Sequence, residues 1–137
     1  MKRMIISGGS RGLGAALVSE YRRAGYEITE LSRSGCSGDS VQVDLAQPKV
    51  AQQILEDEFG RIAADPCEHV LLFNNAGDVM PVGQVADKAV DTVLGNVNVN
   101  FVGAIVLLRA FMLAFQAKDC PKAVSYTHLT LPTIYSV

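Results

Sequence analysis

The sequence predicts an α/β fold, a doubly wound parallel sheet with helices on both faces, and three observations lead to it. Short apolar runs bounded by glycine or polar residues alternate with longer segments at helical spacing. A glycine-rich stretch, SGGSRGLG, joins the first apolar run to the first helical segment. The chain has 137 residues, of which 49 % are hydrophobic and 19 % charged, which is typical of one globular domain with a core.

The first part of the chain contains three predicted strands and one helix. Residues 4–7 form an apolar run that predicts a buried strand, Tyr26–Ser32 alternates as a second strand, and 40–45 make a third. A helix is expected over 13–24, closed by Gly25. The residues that fall at helical spacing are Leu13, Ala16, Leu17, Glu20, Tyr21 and Ala24.

The second part continues the alternation. Pro48 opens a helix, and His69–Asn74 is apolar through its centre, as expected of a strand covered on both faces. A long helical region follows over 87–118, bent near 96–100, and 122–124 begin a fifth strand. The repeated strand–helix–strand units predict a parallel sheet that breaks off after about four to five strands. One face of the helix after Pro48 is apolar: Val50, Ile54, Leu55, Phe59 and Ile62.

Charge and hydropathy exclude several kinds of partner. The formal net charge is −2 with no block of one sign, so no basic face for nucleic acid is expected. The opening run MKRMIISGG is too short for a signal-peptide core. The longest apolar segment, 101–115, contains Arg109 and is shorter than a membrane span. We therefore expect a cytoplasmic protein with no membrane partner.

The cysteines indicate neither a metal site nor a disulfide framework. Cys36, Cys67 and Cys120 are far apart in sequence and odd in number, and no Cys/His cluster accompanies them. We interpret them as small apolar residues or surface thiols in a reducing compartment.

The glycine-rich loop has the spacing G-x-x-x-G-x-G at Gly8, Gly12 and Gly14. Glycine permits a tight turn there and lets the backbone approach a pyrophosphate at the positive end of the helix. The alternative is a turn that binds nothing. The position of the loop between a strand and a helix favours the phosphate interpretation.

Four motifs, SGGSRGLG, VDL, NNAG and NVNFVG, occur in this order and resemble those of the short-chain dehydrogenase/reductase family. The family has T-G-x-x-x-G-x-G, a D-V or D-L after the third strand, N-N-A-G after the fourth and N-x-x-G in the following helix. The resemblance covers residues 3 to about 124 and implies a Rossmann-type fold. Ser7 replaces the usual threonine but keeps the hydroxyl. The stretch LLFNNAGDVMPVG resembles sepiapterin- and benzil-reductase-like members.

The resemblance implies roles for individual residues. Asp44 would hydrogen-bond the adenine with Leu45 packed beside it, and Asn74 would brace the sheet. On the residues alone, Asp44 could cap a turn and the asparagines could be loop formers. The cofactor phosphates would lie against Gly8, Ser10, Arg11, Gly12, Leu13 and Gly14, and the adenosine ribose against Asn75, Ala76 and Gly77.

The end of the second strand favours NADP(H) over NAD(H). Ser32 and Arg33 stand there with no acid at the tip, and Arg11 adds a second cation in the glycine loop. A guanidinium can grip a 2′-phosphate, whereas a carboxylate accepts hydrogen bonds from a free 2′-hydroxyl. Both arginines could instead be solvated surface residues. A shift of register would bring Glu30 towards the ribose.

The catalytic machinery of the family is incomplete in this chain. Asn100 in NVNFVG matches the asparagine that supports proton relay, although it could simply be a helix-kink residue. A serine and a Tyr-x-x-x-Lys pair are also needed, the lysine lowering the pKa of the tyrosine. Tyr126 is followed four places on by Thr130, Tyr135 lies too close to the end, and no lysine follows Lys122. The pair is absent.

The last residues, 124–137, read differently from the rest. They carry no Lys, Arg, Asp or Glu and lose all periodicity. Residues 124–133 resemble the translation, in one frame, of the transposon mosaic end and read primer of tagmentation libraries. We interpret 1–123 as the native amino-terminal part of an NAD(P)-binding Rossmann domain and 124–137 as a translated sequencing adapter. A genuine divergent carboxyl terminus is the alternative. Under the adapter interpretation, Ser125, Tyr126 and Tyr135 have no catalytic role.

Together these interpretations predict the function of the parent protein. It would be a cytoplasmic NADP(H)-dependent short-chain dehydrogenase/reductase that transfers hydride to a ketone or aldehyde, or from an alcohol, without a metal. The resemblance implies a homodimer or homotetramer in which the apolar helix over 101–115 packs against its counterpart, although burial within one chain explains that apolar face equally well. The chain itself would be inactive. A non-catalytic NAD(P)-binding regulator or scaffold of the same fold is the alternative.

Overall fold

Five parallel strands form one sheet in the order β3-β2-β1-β4-β5. The computed structural model describes residues 1–35 and 38–126. Crossovers place β1 at the centre and reverse the strand order between β1 and β4, as in Rossmann-type sheets. The predicted fold class is confirmed. The strands are β1 (Lys2–Ser7), β2 (Tyr26–Ser32), β3 (Ser40–Gln42), β4 (His69–Asn74) and β5 (Lys122–Tyr126).

Helices cover both faces of this sheet because the side chains of β1 alternate between two apolar layers. Met4 and Ile6 lie on the side covered by α1 (Gly12–Arg23). Ile5 lies on the other side, in a larger cluster with α2 (Pro48–Ala64) and α4 (Gly103–Phe115). Leu55, Phe59, Leu107 and Phe115 are fully buried in that cluster.

The strand bounds follow the sequence closely, with one exception. β2 and β4 have the predicted bounds, and β1 begins two residues earlier. β3 ends at Gln42 instead of continuing to Leu45. Its neighbour β2 ends at Ser32, where the carbonyl accepts the Val43 N–H at 2.9 Å. No further ladder partner is available, although Val43 and Leu45 remain buried.

The face of α1 that contacts the sheet differs from the predicted one. Leu13 is 60 % exposed, and Ala16 and Ala24 are exposed as well. Compared with the predicted orientation, the helix is rotated about its axis, so that an adjacent set of residues contacts the strands. The buried or contacting residues are Gly14, Leu17, Val18 and Tyr21.

The predicted apolar face of α2 is confirmed except at its first residue. Ile54, Leu55, Phe59 and Ile62 contribute to the larger cluster. Val50, two residues into the helix, is 62 % exposed. The next residue, Ala51, is 1 % exposed and belongs to the cluster in its place.

The long helical region predicted over 87–118 is observed in parts. A short 3-10 turn at Val85–Asp87 precedes α3 (Val90–Val97), and a π-helical segment, Asn98–Val102, joins α3 to α4. The bend expected near 96–100 corresponds to this π-helical segment. Such segments often occur at functional sites.

Within the described residues, the helical stretch Val90–Phe115 is long and apolar enough to cross a membrane, with 26 residues and a mean hydropathy of 1.9. This corrects the expectation that the longest apolar segment is too short, because α3 and α4 are continuous. A core helix of a soluble protein meets the same criterion. Leu107 and Phe115 of α4 are fully buried, so one side of the stretch belongs to the core.

Candidate cofactor site

A cleft of about 270 Å³ lies where the carboxyl ends of the first four strands meet. Ligands of open α/β sheets bind at this edge, beside the point where the strand order reverses. Segments following β1, β2, β3 and β4 all contribute to its wall. The lining residues are Gly8, Ser10, Arg11, Leu31, Ser32, Arg33, Val43, Asp44, Leu45, Asn75, Ala76, Gly77, Asp78 and Val99.

Most of the residues predicted to touch the cofactor line this cleft. Gly12, Leu13 and Gly14 do not, because they begin α1 behind the loop, and Asn100 stands outside the lining as well. Sequence reasoning missed four residues that carry no motif of their own. They are Leu31, Val43, Asp78 and Val99. The roles assigned to the predicted residues stay predictions.

The glycine loop turns sharply at Gly8, which has φ +70°. A Cβ atom there would lie 3.0 Å from Ala76 Cα, so the loop and the segment after β4 touch through their backbones. The Gly8 N–H donates to the Leu31 carbonyl at 3.0 Å and fixes the loop to the end of β2. Three strand ends therefore meet at one glycine.

The Ser7 hydroxyl holds the ends of β1 and β4 together. It donates to Asn74 Oδ1 at 3.2 Å and accepts from the backbone N–H groups of Asn75 at 3.1 Å and Ala76 at 3.0 Å. Asn75 Nδ2 donates in turn to the Gly8 carbonyl at 2.9 Å. Ser7 is fully buried, so these bonds replace water. The Ser7 hydroxyl, which stands where the family usually has threonine, therefore joins β1 to the end of β4.

Replacing Ser7 by alanine should lower the free energy of unfolding by about 1–3 kcal/mol, because the partly buried N–H groups of Asn75 and Ala76 lose their acceptor. Urea denaturation followed by circular dichroism measures the change. Ser7→Thr keeps the hydroxyl and should lose far less stability. Equal losses in the two variants would show that packing volume, and not the hydroxyl, decides.

Asp44 both lines the cleft and shapes the turn after β3. Its Oδ1 accepts the Ala46 N–H at 2.9 Å, and its carbonyl accepts the Gln47 N–H at 3.0 Å. The turn-capping interpretation of this aspartate is therefore correct as geometry. The same bonds fix the carboxylate at the cleft wall, where it could also meet a ligand.

Two arginines at the cleft have no carboxylate partner among the described residues. Neither Arg11 nor Arg33 forms an ion pair within residues 1–35 and 38–126, and both are exposed. The other arginines of the chain all form one. Those paired are Arg3, Arg22, Arg23, Arg61 and Arg109.

Glu30 lies away from the cleft. It is 7 % exposed, its Oε2 accepts from Ser40 Oγ at 2.8 Å, and it does not line the cleft. A Cβ atom on Gly9 would come within 2.8 Å of Glu30 Cγ, so the glutamate lies beneath the glycine loop on the α1 side of the sheet. The register shift considered for this residue does not occur.

Three alternating asparagines hold the continuous helical stretch from α3 to α4 against the segments that follow β3 and β4. Asn100 Oδ1 accepts the Asp78 N–H at 2.8 Å, and its Nδ2 donates to the Asp78 carbonyl at 2.6 Å. Asn96 Nδ2 donates to the same carbonyl at 2.7 Å. Asn98 Nδ2 donates to the Ala46 carbonyl at 3.3 Å on the other side. The Asn100 amide thus positions the segment after β4, while its role in proton relay stays a prediction.

The tail residues considered as catalytic candidates fall partly within the structure. Ser125 and Tyr126 belong to β5, opposite Phe73 and Asn74 of β4. Burial raises the pKa of the Tyr126 phenol, whereas a catalytic tyrosine of this chemistry needs a lowered one. Tyr135 and the rest of 127–137 lie outside the described residues. Strand pairing uses backbone atoms, so β5 does not test the adapter interpretation of 124–137.

Metal ligands were not expected from the sequence. Across the part of the chain that the structure describes, no three His, Cys, Asp or Glu side chains come together to hold a metal ion.

Comparisons with known proteins give relatives for most of the chain. No protein-family model matches it. A benzil reductase ((S)-benzoin forming) of Bacillus subtilis (strain 168) is 28 % identical over 129 residues, covering 90 % of this chain and 53 % of the relative. The benzil reductase of Bacillus cereus is 27 % identical over 126 residues, covering 82 % and 50 %. The chain thus spans about half the length of these curated relatives.

Solved structures agree with the sequence relatives. A short-chain dehydrogenase/reductase from Burkholderia vietnamiensis has a TM-score of 0.79 at 28 % identity, covering 90 % of this chain and 61 % of that one. A short chain dehydrogenase from Burkholderia cenocepacia J2315, in complex with NADP, has a TM-score of 0.66 at 25 % identity, covering 82 % and 50 %. One from Leptospira borgpetersenii with bound NAD+ has a TM-score of 0.66 at 21 % identity, covering 82 % and 45 %, and shows the fold alone. The motifs, the strand order and these relatives together support an oxidoreductase chain of the short-chain dehydrogenase/reductase type, similar to the benzil reductases.

Proposed function

We propose that the chain is the amino-terminal, cofactor-binding part of an NADP(H)-dependent reductase that acts on a ketone or aldehyde, or on the corresponding alcohol. The observation that carries the proposal is the pair of guanidinium groups at the cleft, Arg11 and Arg33. Neither is neutralised by a carboxylate of the described residues, so both are available to an anion.

The charges around the end of β2 support a 2′-phosphate over a 2′-hydroxyl. A phosphate monoester carries roughly −1.5 to −2 charges at neutral pH, and arginine binds it in a bidentate manner. The carboxylates that line the cleft, Asp44 and Asp78, follow β3 and β4, and Glu30 is turned away. A hydroxyl-binding carboxylate at the tip of β2 is missing, since Ser32 and Arg33 occupy that place.

The cofactor preference can be measured by titrating the chain with NADPH and NADH and following the fluorescence of the nicotinamide. We expect NADPH to bind at least about tenfold more tightly. Arg33→Ala should weaken NADPH binding about tenfold, which corresponds to ~1.4 kcal/mol, and leave NADH binding nearly unchanged. Arg23→Ala is the matched control, because Arg23 pairs with Glu20 on the outer side of α1. Tighter NADH binding, or an equal loss for both cofactors in Arg33→Ala, would contradict the preference.

We further propose that the chain is inactive by itself, because the serine and the Tyr-x-x-x-Lys pair of the family are missing from it. The test is to sequence the source DNA beyond codon 123 with a library chemistry that lacks the adapter. A continuing frame with a serine and Tyr-x-x-x-Lys would support the enzyme, and the full protein can then be assayed for NADPH oxidation. Benzil is the first substrate to try, because two relatives are benzil reductases. A continuing frame without that pair would favour a non-catalytic regulator or scaffold.

The parent protein is proposed to be a cytoplasmic homodimer or homotetramer. Five of the large apolar side chains along the helical stretch Val90–Phe115 are between 48 % and 53 % exposed, which suits a surface that a second subunit covers. They are Leu94, Phe101, Ile105, Met112 and Leu113.

A further inference from the structure

The amino ends of β4 and β5, opposite the cofactor cleft, bring together two cysteines that are 53 positions apart in sequence. Cys67 precedes β4 and Cys120 precedes β5. The parallel register pairs Val70 with Lys122, and the Val70 N–H donates to the Pro121 carbonyl at 3.1 Å. Neighbouring strands lie about 4.8 Å apart, so the segments just before them are within disulfide reach.

Both thiols occupy the same packed region. Cys120 is 9 % exposed within the larger core cluster, and Cys67 is partly buried and packs against that cluster. The turn that carries Cys120 is fixed, because Lys122 Nζ donates to the Cys120 carbonyl at 2.9 Å and also to the Lys118 carbonyl. Neither side chain has to cross the sheet to meet the other.

We propose that Cys67 and Cys120 form a reversible disulfide that clamps β5 to β4 when the protein meets a low-molecular-weight disulfide such as oxidised glutathione. The thiolate of Cys67, the more exposed of the two, attacks one sulfur of the oxidant and releases one glutathione thiol. Cys120 then displaces the second glutathione from the mixed disulfide. The two cysteines lose two electrons and two protons in total, and the oxidant takes them up as two thiols.

The resting state of the pair is reduced. Burial raises the pKa of the Cys67 thiol, and contact with the Cys120 thiol raises it further. A raised pKa leaves little thiolate at neutral pH, so Cys67 reacts slowly with a disulfide there and faster as the pH rises. Cys67 and Cys120, far apart in sequence, are in side-chain contact in the structure.

The test is to incubate the native full chain with oxidised glutathione at pH 8, block free thiols with N-ethylmaleimide, digest with trypsin and analyse the peptides by mass spectrometry. We expect peptide 62–88 linked to peptide 119–122, at least about tenfold more abundant than any link to Cys36, because the paired strands raise the effective concentration of one thiol at the other. Cys36 itself lies outside the described residues. Cys36→Ser should leave the link intact, whereas Cys67→Ser and Cys120→Ser should remove it.

The same sample in guanidinium chloride shows whether folding selects the pair. Links to Cys36 of similar yield in native buffer, glutathione adducts without the internal link, or the same distribution of links in both buffers would each overturn the proposal. The oxidised chain should also melt at least about 5 °C above the reduced chain, because the disulfide closes a long loop. An unchanged Tm would overturn the clamp.

Discussion

Replacing Gly14 by alanine is expected to abolish the ordered start of α1 and cofactor binding with it. A Cβ atom at this position would lie 2.0 Å from the Gly8 carbonyl oxygen and 2.6 Å from Asn75 Nδ2. These two atoms are hydrogen-bonded to each other at 2.9 Å, so the methyl group would enter the bond that joins the glycine loop to the residue that follows β4. Because one contact is with backbone, no rotamer change relieves it, and we expect a loss of about 3 kcal/mol or more.

The experiment compares two glycine-to-alanine changes that have opposite expected signs. Gly60 lies in α2 with nothing within 4 Å of an added Cβ atom, so Gly60→Ala should stabilise the chain by up to about 1 kcal/mol through helix propensity. Urea denaturation gives the stability of both variants, and NADPH fluorescence gives their binding. A Gly14→Ala variant as stable as the wild type would show that the loop and helix do not approach as closely as the structure indicates.

The fold was largely predictable because its signals are local. β2 and β4 have their predicted bounds, since glycine or polar residues end each apolar run and both strands are buried. The length of β3 was not predictable in this way. Val43 and Leu45 are as apolar as strand residues elsewhere, and only the end of the neighbouring strand at Ser32 decides where pairing stops. The residue that sets the end of β3, Ser32, lies 10 positions before Gln42 in sequence.

The orientation of α1 shows the limit of helical periodicity. Leu17 and Tyr21 belong both to the predicted face and to the observed one, and apolar residues flank them on both sides. Leu13 extends one face and Val18 the other, so spacing alone cannot choose. The close approach at Gly14 decides, because only that side of the helix allows contact with the loop backbone.

The cleft was found through motifs, and the residues that were missed carry none. Asp78 directly follows N-N-A-G and could have been included on that ground. Leu31 and Val43 are buried strand residues whose contribution to the cleft depends on how β2 and β3 end together. The alternating asparagines Asn96 and Asn98 were a readable signal, since polar residues at this spacing within an apolar helix need partners.

Replacing Gly103 by alanine should displace α4 and disturb the wall of the cleft that α4 supports. An added Cβ atom would lie 2.7 Å from the Leu45 carbonyl oxygen, 2.8 Å from the Asn98 carbonyl oxygen and 2.9 Å from Leu45 Cβ. Relief requires α4 to move away from the segment that follows β3. That movement would stretch the bond from Asn98 to the Ala46 carbonyl, already 3.3 Å long, so we expect a loss of about 2–3 kcal/mol.

Gly95→Ala is the matched control, because Gly95 lies in α3, which is continuous with α4, and has nothing within 4 Å of an added Cβ atom. It should gain up to about 1 kcal/mol. Gly103→Ala should also weaken NADPH binding several-fold, since Asp44 and Leu45 form the cleft wall that rests on this glycine. Destabilisation with unchanged NADPH affinity would contradict this coupling and would mean that the wall keeps its shape without α4 behind it. A loss of both would show that the glycine of the N-x-x-G motif, although it does not line the cleft, supports the cleft wall through its contact with Leu45.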